Sequence, residues 1–364
     1  MKIKDFFKIE YNKKKYFYRC KKCLVTSTRP RVKFKKKICS GCLNFKERKK
    51  IDWKKRFYQL EQLCSKYRSN NIKHDIVVPV GGGKDSSYVA WVLKKKLKMN
   101  PLCVFIEPPL MTTIGRKNLK NFEKSGFKVL RIKHTFINKK LNKYYFKKFG
   151  LPQHSWLSSI KIAPLKIAKQ YNIKLVMFGE EGESMYGGIK KNRNNMIFDK
   201  ENISKYYLES QPIDIQINRE KLKYISLDTR DLQKLSEIKM LYWSYFEEWD
   251  ENYHLKIAKK YCGLKYAKMK EKNAINNHSH TDQKMFALHM YLAYLKYGFS
   301  RATSDTSIEI RHKRISRTQA IKIVKKYDHV FPINYLSDYC KYFNINKKEF
   351  FKILDSHKNN FLFN

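Results

Sequence analysis

Residues 75–97 read DIVVPV, then GGGKDSS, then YVAWVLKKKL. A short apolar run rich in β-branched residues (75–80) enters three glycines, a lysine, an aspartate and two serines. A helical period follows, predicted over 86–97. Glycines let a backbone approach a ligand closely, and free N–H groups at a helix start form an anion site. Lys84 adds a point charge, Asp85 an acidic group in the first turn, and Ser86 or Ser87 a hydroxyl suited to capping the helix. A Walker loop is excluded, because Lys84 is followed by Asp85 instead of Ser or Thr. A tight strand-to-helix turn alone would not need three glycines, a lysine and an aspartate together.

Downstream, the runs PLCVFIE (101–107), KVLRIKH (128–134) and KLVMFGE (174–180) alternate with helical periods near 113–125, 138–149 and 157–171. Continuous apolar strands between helices predict an α/β fold: a parallel sheet with helices on both faces. Such sheets bind ligands at the carboxyl ends of their strands. The glycine loop, Glu107 and the segment 179–188 all fall on that edge.

The flanks differ in character. Cys20-x2-Cys23 and Cys39-x2-Cys42 are separated by 15 residues, the two-knuckle spacing of a four-cysteine zinc ribbon. Four thiolates leave no open coordination position, so this site predicts folding and docking roles for Zn2+. Cys64, Cys103, Cys262 and Cys340 stand alone and read as small core side chains. Residues 51–70 predict a charged helix with Trp53, Phe57, Leu60 and Leu63–Cys64 on one face. Helices are expected near 250–261, 282–297, 303–312, 316–327 and 347–356. The expected organisation is a zinc ribbon (1–50), a linker helix (51–72), an α/β domain carrying the phosphate-binding loop (73–215) and a mostly helical substrate or partner region (216–364).

The chain of 364 residues carries 79 Lys+Arg against 32 Asp+Glu, a formal net charge of +47. Aromatic residues make up 15%, which excludes a wholly disordered basic tail. No apolar run approaches the ~18 residues of a membrane span, and the first twenty residues contain no secretory apolar block. A cytoplasmic protein is expected. The lysines are spread through the whole sequence instead of forming a patch, which favours a lysine-rich background over a nucleic-acid footprint; with the glycine loop and the acidic segment placed, small phosphorylated ligands are favoured over a polymer.

The segment 81–87 resembles the S-G-G-x-D-S loop of the PP-loop ATP pyrophosphatases, with Gly81 where that pattern has its first serine. Further segments resemble the N-acetyl sugar amidotransferase family of surface-polysaccharide and sialic-acid-like sugar pathways. They are YRCKKCLVTSTRPRVKF (18–34), ICSGCLNF (38–45), KIDWKKR (50–56), TTIGRKNL (112–119), FGEEGESMYGG (178–188), YLKYGFSRATSDTSIEIR (294–311) and RISRTQAIKIVKKYD (314–328). The resemblance runs from about Tyr18 to Leu336.

That resemblance implies conversion of a sugar acetamido group into an acetamidino group. The amide oxygen attacks the ATP α-phosphate to give an O-adenylyl imidate, and ammonia then expels AMP. It implies ATP held by Gly81, Gly82, Gly83, Lys84, Asp85, Ser86, Ser87, Phe105, Ile106 and Gly179, with Mg2+ positioned by Asp85. Lys84, Asp85, Glu180 and Glu183 are the expected catalytic groups, one glutamate accepting a proton or orienting the amide. Arg116, Glu181, Tyr186, Gly187, Arg301 and Asp305 are expected to bind substrate, with Arg311 a further candidate clamp for a sugar diphosphate, against a surface or helix-packing role for each arginine. Tyr242 and Trp243 are candidates for stacking, against the commoner fate of core packing. His278, His280 and His289 form no ligand set. Ammonia is expected from a separate glutaminase subunit of the imidazole glycerol phosphate synthase type, with or without its cyclase-like partner.

Two competing functions are a tRNA sulfur transferase and a non-enzymatic zinc-ribbon nucleic-acid binder. The first wants cysteines near the nucleotide, where Cys103 is the one candidate. The second would make Gly81 a mark of degeneracy, against the intact Lys84-Asp85-Ser86.

Overall fold

The structure is a computed structural model, and it describes residues 2–10, 16–68, 73–180, 182, 186–188, 195–203, 219–270 and 274–363. Two short antiparallel pairs open the chain: β1 (Lys8–Glu10) with β2 (Tyr16–Tyr18), and β3 (Phe34–Lys35) with β4 (Ile38–Cys39). Helices α1 (Ser40–Arg48) and α2 (Trp53–Tyr67) follow; α2 buries Leu60 and Cys64, the face its periodicity predicts.

The sheet is built from β5 (Ile76–Pro79), β6 (Pro101–Ile106), β7 (Val129–Ile132) and β8 (Leu175–Phe178). Between them run α3 (Lys84–Lys95), α4 (Thr113–Lys124), α5 (Phe136–Phe149) and α6 (His154–Gln170). The chain continues through α7 (Thr229–Lys234), β9 (Lys239–Tyr242), α8 (Trp243–Phe246), α9 (Glu251–Cys262), α10 (Met285–Tyr297), α11 (Arg301–Arg311), α12 (Arg317–Tyr327), α13 (Leu336–Phe343) and α14 (Lys347–Ser356). Five strands lie in the order β7-β6-β5-β8-β9, all parallel.

Both faces of the sheet are buried, which is why its strands read as unbroken apolar runs. Ile76, Val78, Cys103, Phe105, Leu175 and Met177 point into a core shared with α2, α3 and α4. Val77, Leu102, Val104, Val176 and Phe178 point the other way, onto α6. The two-residue alternation of a strand thus fills two separate cores. A third core joins α10, α13 and α14.

Two differences from the sequence expectations bear on the site. The edge strand β9 comes from inside the stretch read as helical (216–364); its four residues KMLY are too few to show a strand period beside the aromatic run that continues into α8. Helix α3 starts at Lys84, two residues before the expected 86. Its N-cap is Gly83, with no side-chain capping bond, so neither Ser86 nor Ser87 caps it. Extended backbone at Gly83 (φ −85°, ψ 175°) lets the helix begin at once. Lys84 and Asp85 therefore sit in the first helical turn and not in the loop.

Candidate active site and metal centre

β5 lies at the centre of the sheet, and the crossovers reverse on either side of it, the position where open α/β sheets leave a crevice. Gly81, Gly82 and Gly83 leave β5 there and, with Lys84, Asp85 and Ser86, form one wall of a cavity of about 290 Å³. The opposite walls come from Phe105, Ile106, Trp156, Ile160, Phe178 and Gly179, and from the segment His278–Asp282. Gly82 adopts φ +75°, and a Cβ there would lie 2.8 Å from the backbone nitrogen of Leu119. The loop can therefore press against α4 only with glycine at 82. The Gly81 N–H donates to Ser86 Oγ at 3.3 Å. Ser87 is buried behind the loop, facing away from the cavity lining.

Lys84 is nearly buried, at 7% exposure, and sits between two carboxylates. Its Nζ is 2.6 Å from Asp85 Oδ2 and 3.0 Å from Glu251 Oε2. Burial alone would lower its pKa, but the two carboxylates outweigh it and hold the ammonium charged. Asp85 Oδ1 meets His254 Nδ1 at 3.0 Å. Burial would raise the Asp85 carboxyl, yet Lys84 and His254 keep it well below the usual carboxylate range. His254 is itself fixed by stacking on Tyr88, with ring centroids 4.2 Å apart, and by the edge of Trp249. Glu251 and His254 are thus the far anchors of the Lys84–Asp85 pair.

Glu180 follows β8 at the same edge. Burial first, then the Glu251 and Asp85 carboxylates, push its carboxyl up to about 8, against the opposing pull of Lys84 and Arg301. A glutamate in that range exchanges protons near neutral pH. Arg301 opens α11 and binds Asp305 one turn on with two bonds, Nη2 to Oδ1 at 2.8 Å and Nε to Oδ2 at 2.9 Å. Burial raises the Asp305 carboxyl to about 6 although Arg301 opposes it. The Tyr186 hydroxyl is raised above its usual pKa by burial and then by Glu180. Lys84, Asp85, Glu180, Tyr186, Glu251, Arg301 and Asp305 form one electrostatic cluster.

The remaining sequence candidates divide. Phe105, Ile106 and Gly179 line the cavity. Gly187 packs on the ribbon, with φ +92° and its carbonyl accepting from Ser40 Oγ. Glu181 and Glu183 lie outside the described residues. Arg116 is turned away: its Nη2 donates to the Met111 carbonyl at 2.7 Å, and it lines a separate cavity with Glu107, His134 and Lys284. Arg311 does not line the cavity at the glycine loop; it reaches the cysteine cluster instead. Trp243 is fully buried core, its indole N–H donating to Glu247 at 2.6 Å, and Tyr242 is buried against Phe178. Both are unavailable for stacking on a ligand.

Four participants escaped the sequence reading. Glu251 and His254 sit at i and i+3 on α9, one face of one helix, a spacing visible in the sequence but attached to no motif. Trp156 and Lys161 come from α6; the Trp156 N–H donates to the Ile106 carbonyl at 3.1 Å, and Lys161 lies over the Phe178 and Tyr242 rings. His278 and His280, dismissed as ligands, line the cavity mouth. Burial first, then Arg301 and Lys84, hold the His280 imidazole neutral, and it stacks on Phe286 at 4.0 Å.

The four cysteine Sγ atoms lie within 4.8 Å of one another. Cys23 and Cys39 are 3.6 Å apart and Cys20 and Cys42 4.0 Å. A tetrahedron of thiolates about 2.3 Å from a central ion has edges of about 3.8 Å, so the set fits a four-sulfur metal ion. The Cys39 N–H points at Cys20 Sγ and the Cys42 N–H at Cys39 Sγ, the donors that thiolates around a metal accept.

A parallel α/β sheet with this glycine loop at the end of its central strand, joined to a four-cysteine cluster, is the arrangement that the PP-loop resemblance implies. Residues 260–364 match the family model described as "LPS biosynthesis protein WbpG-like, C-terminal domain". A 115-residue stretch is 30% identical to the uncharacterized protein MJ1599 of Methanocaldococcus jannaschii, over 29% of this chain and 39% of that protein. The chain thus spans well under half the length of that curated relative. Among solved structures, the U34-tRNA thiolase NcsA from Methanococcus maripaludis with its [4Fe-4S] cluster aligns over 76% of this chain and 79% of that one. Its identity is 12% and its TM-score 0.34. No helix among the described residues is long and apolar enough to cross a membrane.

Proposed function

We propose that this protein is an ATP-dependent amidotransferase that turns the acetamido group of an N-acetylated sugar into an acetamidino group, releasing AMP and pyrophosphate. The observation that carries the reading is the cavity at the strand edge where the glycine loop, Lys84 and Asp85 face Phe105, Ile106 and Gly179, with Glu180 next in the chain, in a protein whose C-terminal part matches the WbpG-like family. An amide carbon is a poor electrophile, so its oxygen must first become a leaving group. Attack of that oxygen on the α-phosphate forms the O–P bond and expels pyrophosphate. Ammonia then adds to the imidate carbon, loses a proton, and displaces AMP.

Loop N–H groups and Lys84 stabilise the charge growing on the phosphates. The apolar wall of Phe105, Ile106, Trp156 and Phe178 suits an adenine ring. Asp85 has one bond to each oxygen, so a carboxylate's remaining lone pairs suit Mg2+, which would draw charge from the phosphates. Glu180 takes the proton lost by ammonia, and Arg301 orients the sugar. The ribbon's ion is assigned as structural Zn2+, and ammonia as the product of a separate glutaminase subunit. The work takes place in the cytoplasm, where ATP is, during surface-polysaccharide or flagellin glycan assembly. The cysteines speak against tRNA sulfur transfer: burial pushes the Cys103 thiol up and that of Cys262 to about 12, so neither is a ready thiolate.

The test is incubation with ATP, ammonium and a panel of acetamido sugars. A sugar product lighter by about one mass unit, oxygen replaced by N–H, reports the reaction. Lys84→Ala and Asp85→Ala should each abolish AMP release. AMP release with tRNA and with no acetamido sugar would overturn the reading.

A further inference from the structure

The ribbon does more than terminate the chain. It grips α11 along its length: Arg19 Nη1 bonds Thr303 Oγ1 at 3.1 Å, Arg29 Nη1 bonds Ser304 Oγ at 3.0 Å, and the Leu24 N–H donates to Ser307 Oγ at 3.3 Å. At the last residue of the helix, Arg311 Nη2 lies 3.8 Å from Cys23 Sγ and 3.9 Å from Cys39 Sγ. At the first residue stands Arg301, in the electrostatic cluster with Glu180 and Tyr186. A helix of 11 residues spans about 16 Å, so one rigid rod joins the metal cluster to the reaction centre.

A second strut runs beside it. Gly187 is pressed so closely on Gly41 of α1 that a Cβ there would fall 2.1 Å from the Gly41 nitrogen. Ser40 Oγ also holds the Gly187 carbonyl. Ser40 and Gly41 are the two residues between ligands Cys39 and Cys42. The Tyr186 backbone therefore rests on the metal knuckle itself, and the Arg29 guanidinium stacks on the Tyr186 ring at 4.2 Å.

From this geometry we propose that Arg311 is a positioning residue, carrying the state of the four-cysteine metal centre through α11 to Arg301 and Asp305. Four thiolates around a divalent ion carry a net charge of about −2, which balances the half-buried guanidinium. Loss of the metal removes that balance, and Arg311 is left without the anion that fixes the end of the rod. The ribbon's bonds to α11 and Gly187 lie on the Arg301 side, whereas the glycine-loop cavity is built on β5 and α3. Metal loss should therefore loosen the sugar side of the site and spare the ATP side. The sugar assignment rests on the function proposed above; the coupling itself does not.

The experiment uses the full-length metal-loaded protein, its chelated form, and the variants Arg311→Met and Arg311→Lys. Metal content is read by mass spectrometry, the affinity for a non-hydrolysable ATP analogue by calorimetry, and local opening by amide hydrogen exchange. Arg311→Met should keep its metal and bind the analogue within about twofold of the parent. Exchange over 301–305 and at 186–188 should rise roughly tenfold or more. Arg311→Lys should restore part of the protection, and chelation should reproduce the pattern of Arg311→Met. Unchanged exchange at 301–305 in both the chelated protein and Arg311→Met overturns the proposal. So does a general rise in exchange with loss of analogue binding in both, because the ribbon would then simply hold the whole fold. If no acetamido sugar reacts, the amidotransferase reading fails while the exchange pattern still decides the coupling.

Discussion

Adjacent glycines in the phosphate loop should respond oppositely to a side chain. At Gly82 the backbone is left-handed (φ +75°), and a Cβ would lie 2.8 Å and 2.9 Å from the nitrogen and Cα of Leu119 and 3.1 Å from the Asn118 carbonyl carbon. These are backbone atoms, and they cannot step aside. Asn118 is pinned on both sides of its amide, to the Lys265 carbonyl at 3.0 Å and the Lys265 N–H at 2.8 Å, and Leu119 is core. Left-handed strain costs about 1–2 kcal/mol. Overpacking against a fixed neighbour adds about 1–3 kcal/mol. Gly82→Ala should therefore lose about 2–5 kcal/mol of stability and most ATP binding.

Gly81 has an ordinary φ and nothing within 4 Å of its Cβ position, which faces the cavity. Gly81→Ala should be neutral, or stabilising by up to about 1 kcal/mol through the unfolded chain. Gly81→Ser restores the hydroxyl that the PP-loop pattern carries there. One hydrogen bond to a charged phosphate is worth about 1.5–3 kcal/mol, so ATP should bind roughly ten- to a hundredfold more tightly. Thermal midpoints and calorimetric Kd values for the three variants check this directly. The reasoning is refuted if Gly82→Ala melts and binds like the parent, or if Gly81→Ser folds normally and leaves the ATP affinity unchanged.

Glu180 must be ionised to accept a proton, so at fixed ammonia concentration the rate should climb as pH rises through about 8, the value set by burial and then by Glu251 and Asp85. Glu251→Gln removes one of those negative charges and should move the midpoint of the pH–rate profile downward; a midpoint that stays put would exclude this electrostatic link. Cys39→Ser should abolish stoichiometric metal binding and lower the thermal midpoint, since a four-thiolate site contributes folding energy outright; elemental analysis and melting curves decide. Trp156→Ala opens the apolar wall and unpairs the Ile106 carbonyl, so KM for ATP should rise about tenfold or more with the sugar KM little changed; an equal rise in both would place Trp156 elsewhere in the mechanism.

What was legible in the sequence was whatever local chemistry writes by itself. The glycine run, the apolar strands and the paired cysteines each need particular residue types at fixed spacing, and the parallel sheet and the cysteine cluster follow from them. Glu251 and His254 were not legible, because a glutamate and a histidine on an amphipathic helix have no unusual local preference. They matter only because α9 packs on α3 and brings them to Lys84 and Asp85 across more than 160 residues of chain. Strand β9 was hidden for a related reason: four residues become a strand only when β8 offers an open edge.

Arg311 is the most instructive placement. An arginine offered as a clamp for a sugar diphosphate reaches instead the sulfurs of the cysteine cluster, at the opposite end of its helix from Arg301. Residue type left a clamp and a packing role both open, and spacing alone could not say which partner lay in reach. The direction of a helix settles it. Ten residues separate Arg301 from Arg311, close to three turns, so the two guanidiniums leave the same helix about 15 Å apart and meet different partners. The +47 net charge has the same character. Its total describes a lysine-rich surface, whereas the charges that matter to the proposed chemistry are few, buried and paired: Lys84 with Asp85 and Glu251, and Arg301 with Asp305. Salt should therefore slow the encounter with ATP, where the surface field acts, more than the chemical step, where buried pairs escape screening.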